Sequence, residues 1–498
     1  MHPPRALLAS AVGVLAASLM LTIPATARSA PAVLSAPALE FTDCELKASQ
    51  GIGLVQARCA TLQQPENPAQ PDGATVALRV AVIESLSPEP KADAFTVING
   101  GPGGSSISLY AQSAGAFSAI LRERDIVIVD QRGTGLSTPL DCPEQDALVE
   151  DFDQEIVVAA TRECLAGLDQ DPRYFTTSVA VKDLDTVRAA LGYQRLSLYG
   201  VSYGTRVALH YARRYPERTR ALIIDGVVPP ELALGPNAAV NAQHTLDRLL
   251  ARCESDADCS SAFPELGANL ETLLNRLQTE PVAVQIADPL TGELKQITLG
   301  VEHLAITLRM LSYAPETAAL IPLIINQAYR DNDYRPIAAN ALRILNELQG
   351  MIRAGMHNAV VCAEDIPFIG EVDWAALDAS YLGSTQTESL LTICEHWPSG
   401  VIDPDLKDPL TLPIATLILS GEEDPITPPA YGEMVARQMP NSLHLIGPGQ
   451  GHGIFNRGCI PGLISEFVET ADWQTLDTQC VNRLRAMPFF LDSMGPAP

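Results

Sequence analysis

Positive charge is scarce in this chain. Only 33 Lys and Arg face 59 Asp and Glu in 498 residues, a formal net charge of −26. A nucleic-acid binder needs clustered cations to displace counterions, so that class is disfavoured, as is docking on anionic membranes. No low-complexity run and no internal repeat is visible, and 47% of the residues are hydrophobic, a globular composition. The sequence has no C-x2-C couple, which leaves no pattern for a zinc site. It also lacks G-x-G-x-x-G, and its glycine-rich loop does not end in Gly-Lys-Ser/Thr, so a phosphate cradle is disfavoured. Charge by itself carries no information about fold.

The N-terminus indicates the compartment. A polar start ending in Arg5 precedes an uncharged Ala/Leu/Val-rich run over residues 6–23, then Ala25-Thr26-Ala27. That order predicts a signal peptide over residues 1–27, and no later charge-free stretch reaches spanning length. A secreted or periplasmic protein follows, with no stable membrane span after cleavage. In an oxidising compartment the ten cysteines are read as disulfides, and pairing of sequential neighbours is the most economical arrangement. Cys253 and Cys259, flanking a polar turn, are the clearest couple.

Residues 28–42 are Ala/Pro-rich and read as a loose leader. Strands are predicted over residues 75–83 (TVALRVAVI), 95–98, 125–129, 196–199 and 221–225, with helices over 178–191, Ser-capped at its start, and 205–214. Strands alternating with helices, and Gly-rich turns after the strands, predict an α/β fold with a mostly parallel sheet. The pattern stops near residue 230 and returns as strands over 413–420 and 442–446; between them the chain reads as helical except for a hairpin over 282–299. The expected organisation is a core segment over residues 28–229, a mainly helical cap inserted over 230–406, and a second core segment with a Cys-containing tail over 407–498.

The sharpest local pattern is Gly200-Val201-Ser202-Tyr203-Gly204 between a predicted strand and helix. A serine hydroxyl becomes a useful nucleophile only when exposed beside a base, and a tight strand–turn–helix elbow exposes it. The order Ser, then acid, then His directs attention downstream. Of eight histidines only His444 and His452 lie beyond the returning strand; His444 falls within an alternating strand, and His452 in the loop GPGQGHGIF is the candidate base. Asp424, in GEEDPITPP, is the candidate acid, with Glu422 and Glu423 as alternatives. Two backbone donors complete an oxyanion site: the amide of Tyr203 and that of Gly101 in NGGPGGSS, residues 99–106. Such a site calls for no metal and no organic cofactor.

With these residues assembled, the chain resembles the α/β-hydrolase superfamily, and within it the prolyl iminopeptidase and tripeptidyl aminopeptidase group of secreted bacterial serine peptidases. The carrying motifs are NGGPGGSS, DQRGTGLS (residues 130–137), GVSYGTRVAL, GEEDPITPP and GQGHG. Asn99 departs from the His that many relatives carry; the donor there is a backbone amide, so little mechanistic change is expected. The tail from residue 458 to Cys480 also resembles the tripeptidyl members. The resemblance implies hydrolysis of peptides with a free N-terminus, releasing tripeptidyl or aminoacyl units. It further implies that Gln131 and Arg132 shape the wall beside the site, or anchor it structurally. A cap acidic residue, Glu364 or Asp365, would meet the substrate ammonium, and Trp397 would line the pocket or pack in the core. A secreted carboxylesterase with the same triad is the alternative reading.

Overall fold

In a computed structural model the described residues are 39–48, 54–142, 154–288 and 291–496. The expected signal peptide and most of the expected leader lie outside them. Among the described residues, nine strands form one sheet in the order β1-β2-β3-β5-β4-β6-β7-β10-β11. They are β1 (Thr42–Lys47), β2 (Leu54–Pro65), β3 (Thr75–Ile83), β4 (Ala94–Ile98), β5 (Ile126–Val129), β6 (Leu196–Val201), β7 (Thr219–Asp225), β10 (Thr416–Gly421) and β11 (Ser442–Gly447). Pairing is antiparallel from β1 through β3 to β5. From β5 through β4, β6, β7 and β10 to β11 it is parallel.

Period-two alternation explains why this sheet is covered on both faces. Val76, Leu78 and Val80 of β3, Leu198 of β6 and Ile224 of β7 face one hydrophobic core. There they meet Val181 and Val187 of the helix Thr177–Ala190 and Val207 of the helix Tyr203–Arg214. Ala81, Tyr199, Ile223, Leu417 and Leu419 point the other way, onto a second core. Helices Ser106–Phe117 and Ile460–Thr470 close that face through Phe117, Ile464 and Phe467.

The chain leaves the sheet after β7 and re-enters at β10, the parallel neighbour of β7. Between them lie helices and one hairpin, β8 (Val282–Ala287) with β9 (Leu294–Leu299), within the expected hairpin at 282–299. Helices Asn237–Ser255, Leu266–Thr279, Val301–Leu311 and Ile321–Arg330 bury their own apolar cluster, including Leu246, Leu273, Leu308 and Ile325. The helix Ala354–Glu364 instead sends Met356 and Ala359 into the sheet's first core, which ties the insertion to the sheet.

Two local expectations change. The helix expected to start on a Ser cap begins at Thr177, with Thr176 in the cap position. The Ser178 hydroxyl accepts the Asp403 amide instead (2.8 Å), and Thr176 Oγ1 donates to the Val401 carbonyl (2.7 Å). Strands β1 and β2 were not anticipated; their ladder is joined by the Cys44–Cys59 disulfide.

All ten cysteines pair with sequential neighbours: 44–59, 142–164, 253–259, 362–394 and 459–480. No helix among the described residues is long and apolar enough to cross a membrane. The Cys362–Cys394 bridge joins the helix Ala354–Glu364 to Thr385–His396 across a sequence separation of 32. Loop-closure entropy assigns such a cross-link about 3–4 kcal/mol. Replacing both cysteines by serine should lower unfolding stability by about that amount in urea titration, with the fold retained at low denaturant.

Candidate active site

The Gly200–Gly204 pentapeptide forms the turn from β6 into the helix Tyr203–Arg214. Ser202 occupies φ 57°, ψ −130°, a strained backbone state for a residue with a side chain. The flanking glycines are sterically required. A Cβ on Gly200 would lie 2.3 Å from the Gly204 carbonyl oxygen, and one on Gly204 would lie 2.4 Å from the Ile98 carbonyl oxygen. The helix therefore begins two residues earlier than the apolar spacing suggested, because the elbow itself is its first turn.

The structure brings the candidate base and the candidate acid together. His452 Nδ1 lies 2.8 Å from Asp424 Oδ2. Asp424 is fully buried, and its Oδ1 accepts the amides of Ile426 and Thr427, both at 2.9 Å. Thr427, which sequence reasoning did not single out, donates its hydroxyl to Asp424 Oδ2 (2.8 Å) and sits 3.0 Å from His452 Nδ1. Burial opposes the imidazolium form of His452, but the charge and hydrogen bond of Asp424 outweigh it, raising the pKa above the ordinary value. From the insertion, the Tyr313 carbonyl accepts the His452 amide (2.8 Å), and the Tyr313 ring meets the imidazole edge-on at 5.2 Å.

The elbow and the base loop converge at the end of β7. Ser202 N–H donates to the Asp225 carbonyl (2.9 Å), and the next residue, Gly226, has φ +62°. A Cβ on Gly226 would lie 3.0 Å from His452 Cε1. The alternatives considered from sequence have other partners. His444 shares a hydrogen bond with Ser420 Oγ (2.9 Å), Glu422 accepts the Gly449 amide (2.8 Å), and Glu423 faces Arg252 (3.3 Å).

The glycine-rich loop lies against the candidate nucleophile: a Cβ on Gly100 would come 2.6 Å from Ser202 Cβ. Gly101 has φ +114° and precedes a cis Pro102. Asn99 pins the loop, its Oδ1 accepting the Gly100 amide (2.7 Å) and its Nδ2 donating to the Ser105 carbonyl (3.0 Å). Asp130, from DQRGTGLS, accepts Ser105 Oγ (2.7 Å), the Ile107 amide (3.0 Å) and the Leu136 amide (3.2 Å), so it joins both glycine loops. Arg132 is fully buried, paired with Asp183 at 2.6 and 2.9 Å, and donates to the carbonyls of Glu66 and Tyr174. That is the anchoring role. Gln131 reaches closer to the elbow, donating to the Tyr203 hydroxyl (3.1 Å).

The expected substrate contacts are placed differently. Glu364 and Asp365 are 0% exposed, and Trp397 is 4% exposed within the first core. Arg206, on the helix that follows Ser202, grips Asp365 through two bonds of 2.6 and 3.0 Å and approaches Glu364 at 3.5 Å. Glu364 also accepts the Thr177 amide (2.6 Å) and hydroxyl (2.8 Å), and Thr177 Oγ1 lies 2.7 Å from the Tyr203 hydroxyl. Burial raises the Glu364 pKa, and the charge of Arg206 offsets part of the effect. These carboxylates thus brace the elbow helix against the insertion and offer no surface to a ligand in this conformation. Desolvation, partly opposed by Asp365, lowers Lys407 to about 8; its Nζ stands 3.5 Å from that carboxylate. Arg206 could have been suspected from sequence only as a charge in the middle of a buried helix. Among the described residues no cluster of three or more His, Cys, Asp or Glu is arranged to hold a metal ion.

Comparison with known proteins agrees with this fold. The α/β hydrolase fold family matches residues 93–281, and the TAP-like protein family matches residues 379–480. The chain has the α/β-hydrolase fold, and by class it is a serine hydrolase. Serine protease Hip1 of Mycobacterium bovis is 27% identical over 486 residues, spanning 89% of this chain and 90% of that one. Tripeptidyl aminopeptidase of Streptomyces lividans is 28% identical over 199 residues, 35% of this chain and 36% of that one. Carboxylesterase B of Mycobacterium tuberculosis is 25% identical over 493 residues, 89% of this chain and 90% of that one.

Removing Arg206 would strand two buried carboxylates. Arg206→Ala should therefore cost about 3–5 kcal/mol in chemical denaturation. Arg206→Met in combination with Glu364→Gln and Asp365→Asn should recover much of that loss.

Proposed function

We propose that this chain is a secreted serine exopeptidase, releasing tripeptidyl or shorter N-terminal units from peptides through an acyl-enzyme on Ser202. The observation that carries the reading is the Asp424–His452 contact of 2.8 Å, on a loop that Asp225 ties to a serine held in the elbow conformation. The names of the Hip1 and tripeptidyl aminopeptidase relatives, together with the TAP-like match, support a peptidase. Five disulfides favour an oxidising compartment. The insertion over residues 230–406 acts as a cap that restricts access to unblocked chain ends.

His452 Nδ1–H is held by Asp424, which leaves Nε2 as the basic nitrogen. Nε2 takes the proton of Ser202 as its oxygen attacks the scissile carbonyl, and then delivers it to the departing amine. Asp424 stabilises the imidazolium, and the hydroxyl of Thr427 steadies Asp424. The amides of Gly101 and Tyr203 receive the oxyanion. Water, activated by the same Nε2, releases the acyl group and regenerates Ser202. Every step uses groups of the chain and water, so no metal or organic cofactor enters. Glu364 and Asp365 act in this reading as braces of the elbow, and Trp397 as core.

A second reading, a carboxylesterase with the same triad, is favoured by the Carboxylesterase B relative, which matches nearly the full chain. Turnover of aminoacyl and tripeptidyl anilides against p-nitrophenyl acyl esters separates the two. Ser202→Ala should abolish both activities. N-acetylated peptides should be cleaved far more slowly than free ones, and equal rates would sink the exopeptidase reading.

The pH dependence has a definite sign. His452 must be neutral to act as base, and its pKa is raised, so the acid limb of kcat/KM should fall above the ordinary imidazole value of 6.5. Asp424→Asn removes the charge that raises it; the limb should move to lower pH while kcat drops by about 10⁴.

A further inference from the structure

We propose that Asp225 is a positioning residue that fixes the base loop against the nucleophile elbow. The proposal rests on the roles of Ser202 and His452 given above, but not on the identity of the substrate. Asp225 is the last residue of β7 and is fully buried. It acts on both sides of the site at once. Its carbonyl accepts the Ser202 amide at 2.9 Å, at the strained turn. Its carboxylate accepts the Ile454 amide at 3.1 and 2.9 Å and the Phe455 amide at 2.9 Å, two and three residues beyond His452. The Tyr199 hydroxyl, from the neighbouring strand β6, supplies a further donor at 3.1 Å.

Before His452 the base loop is held by the Gly449 amide on Glu422 and by the His452 amide on the Tyr313 carbonyl, both at 2.8 Å; after His452 the hold comes from Asp225. Residues 447–453 contain four glycines, so the segment carrying His452 has little side-chain packing of its own. A carboxylate in a dry pocket, accepting two amides from that loop, replaces the missing packing with directed bonds. Phe455 then stacks on Phe117 with ring centroids 5.6 Å apart, which carries the anchored loop onto the second core. A neutral leucine would have filled the strand end more cheaply, because burial of an isolated carboxylate is costly. The retained charge points to a use.

Asp225 also sets part of the electrostatic surroundings of the base. His452 faces Asp424 and Asp225 as carboxylates and Arg309 as a cation, with the Tyr313 ring at its edge. Asp225 itself faces Tyr199 and His452. Burial pushes Asp225 up to about 6, against the pull of its amide and hydroxyl donors. Its protonation therefore weakens the clamp as pH falls toward that value, in addition to the protonation of His452. Both events lower activity as pH falls.

The test follows the rate of fluorophosphonate labelling of Ser202 against pH, which reads nucleophile and base without assuming a peptide substrate. If the exopeptidase reading fails, this readout is unaffected. Asp225→Asn should slow labelling by about 100-fold near neutrality, the cost of a small misplacement of reacting groups. Its acid limb should move to lower pH, because His452 loses a neighbouring negative charge. Tyr199→Phe keeps the charge but removes a donor, so Asp225 protonates more readily and the limb should move to higher pH. Opposite displacements in the two variants establish the role. Labelling by Asp225→Asn within about threefold of the parent, or a slower rate with the limb unmoved, overturns it. Should Asp225→Asn fail to fold, an unmoved limb in Tyr199→Phe overturns it equally.

Discussion

The backbone of Ser202 is the constraint on which the rest of the site depends. A serine at φ 57°, ψ −130° is held in a state that costs about 1–3 kcal/mol. It persists only because its surroundings leave no alternative. Gly200 and Gly204 let β6 and the following helix approach within distances that any Cβ would forbid, and Gly100 does the same for the glycine loop. The Asp225 carbonyl fixes the serine amide from the other side. Three glycines and one hydrogen bond thus convert the packing energy of a large sheet into local strain that exposes one hydroxyl.

The same constraint extends into the insertion. The helix that begins at Tyr203 carries Arg206 one turn later, and Arg206 is buried against Glu364 and Asp365 at the end of the helix Ala354–Glu364. Thr177 links Glu364 to the Tyr203 hydroxyl, and Gln131 holds that hydroxyl from the opposite side. Arg353 N–H donates to the Gly103 carbonyl, so the same helix also touches the glycine loop at its N-terminal end. Elbow, glycine loop and insertion therefore form one bonded assembly. A change of conformation in the insertion would be felt at both proposed oxyanion amides.

Much of the core was legible in sequence for a simple reason. Strands buried on both faces are short apolar runs ended by glycine or a polar turn, and those expected at 75–83, 95–98, 196–199 and 413–420 stand out. Ser202, Asp424 and His452 stood out as candidates because each sits in a turn whose composition suits a chemical purpose. Strands β1 and β2 were not, because TDCELK and LVQARCATLQQP expose much of their length and lack a continuous apolar run. The partners of Glu364 and Asp365 were missed for a different reason. An acidic pair in a predicted cap looks like a receptor for a cation; only the fold shows that Arg206 arrives there first. Asp225 reaches the base loop across the sheet, and Thr427, although it binds Asp424 from three residues away, meets His452 only through the fold; no spacing within one segment encodes those contacts.

A common device runs across the ends of three strands. Asp130 just after β5, Asp225 at the end of β7 and Asp424 just after β10 are all buried carboxylates that accept loop amides. A parallel sheet delivers its strands to one edge, where the connecting loops must turn sharply and leave amides unpaired. A carboxylate at the strand end satisfies two or three such donors at once and fixes the loop's direction. Asp130 does this for the glycine loop, Asp225 for the base loop, and Asp424 for its own turn while facing His452. The marked acidity of the chain therefore has two unrelated parts. Most of it is solvated and sets only the charge, whereas a few carboxylates at the sheet edge organise the site by accepting hydrogen bonds from the backbone.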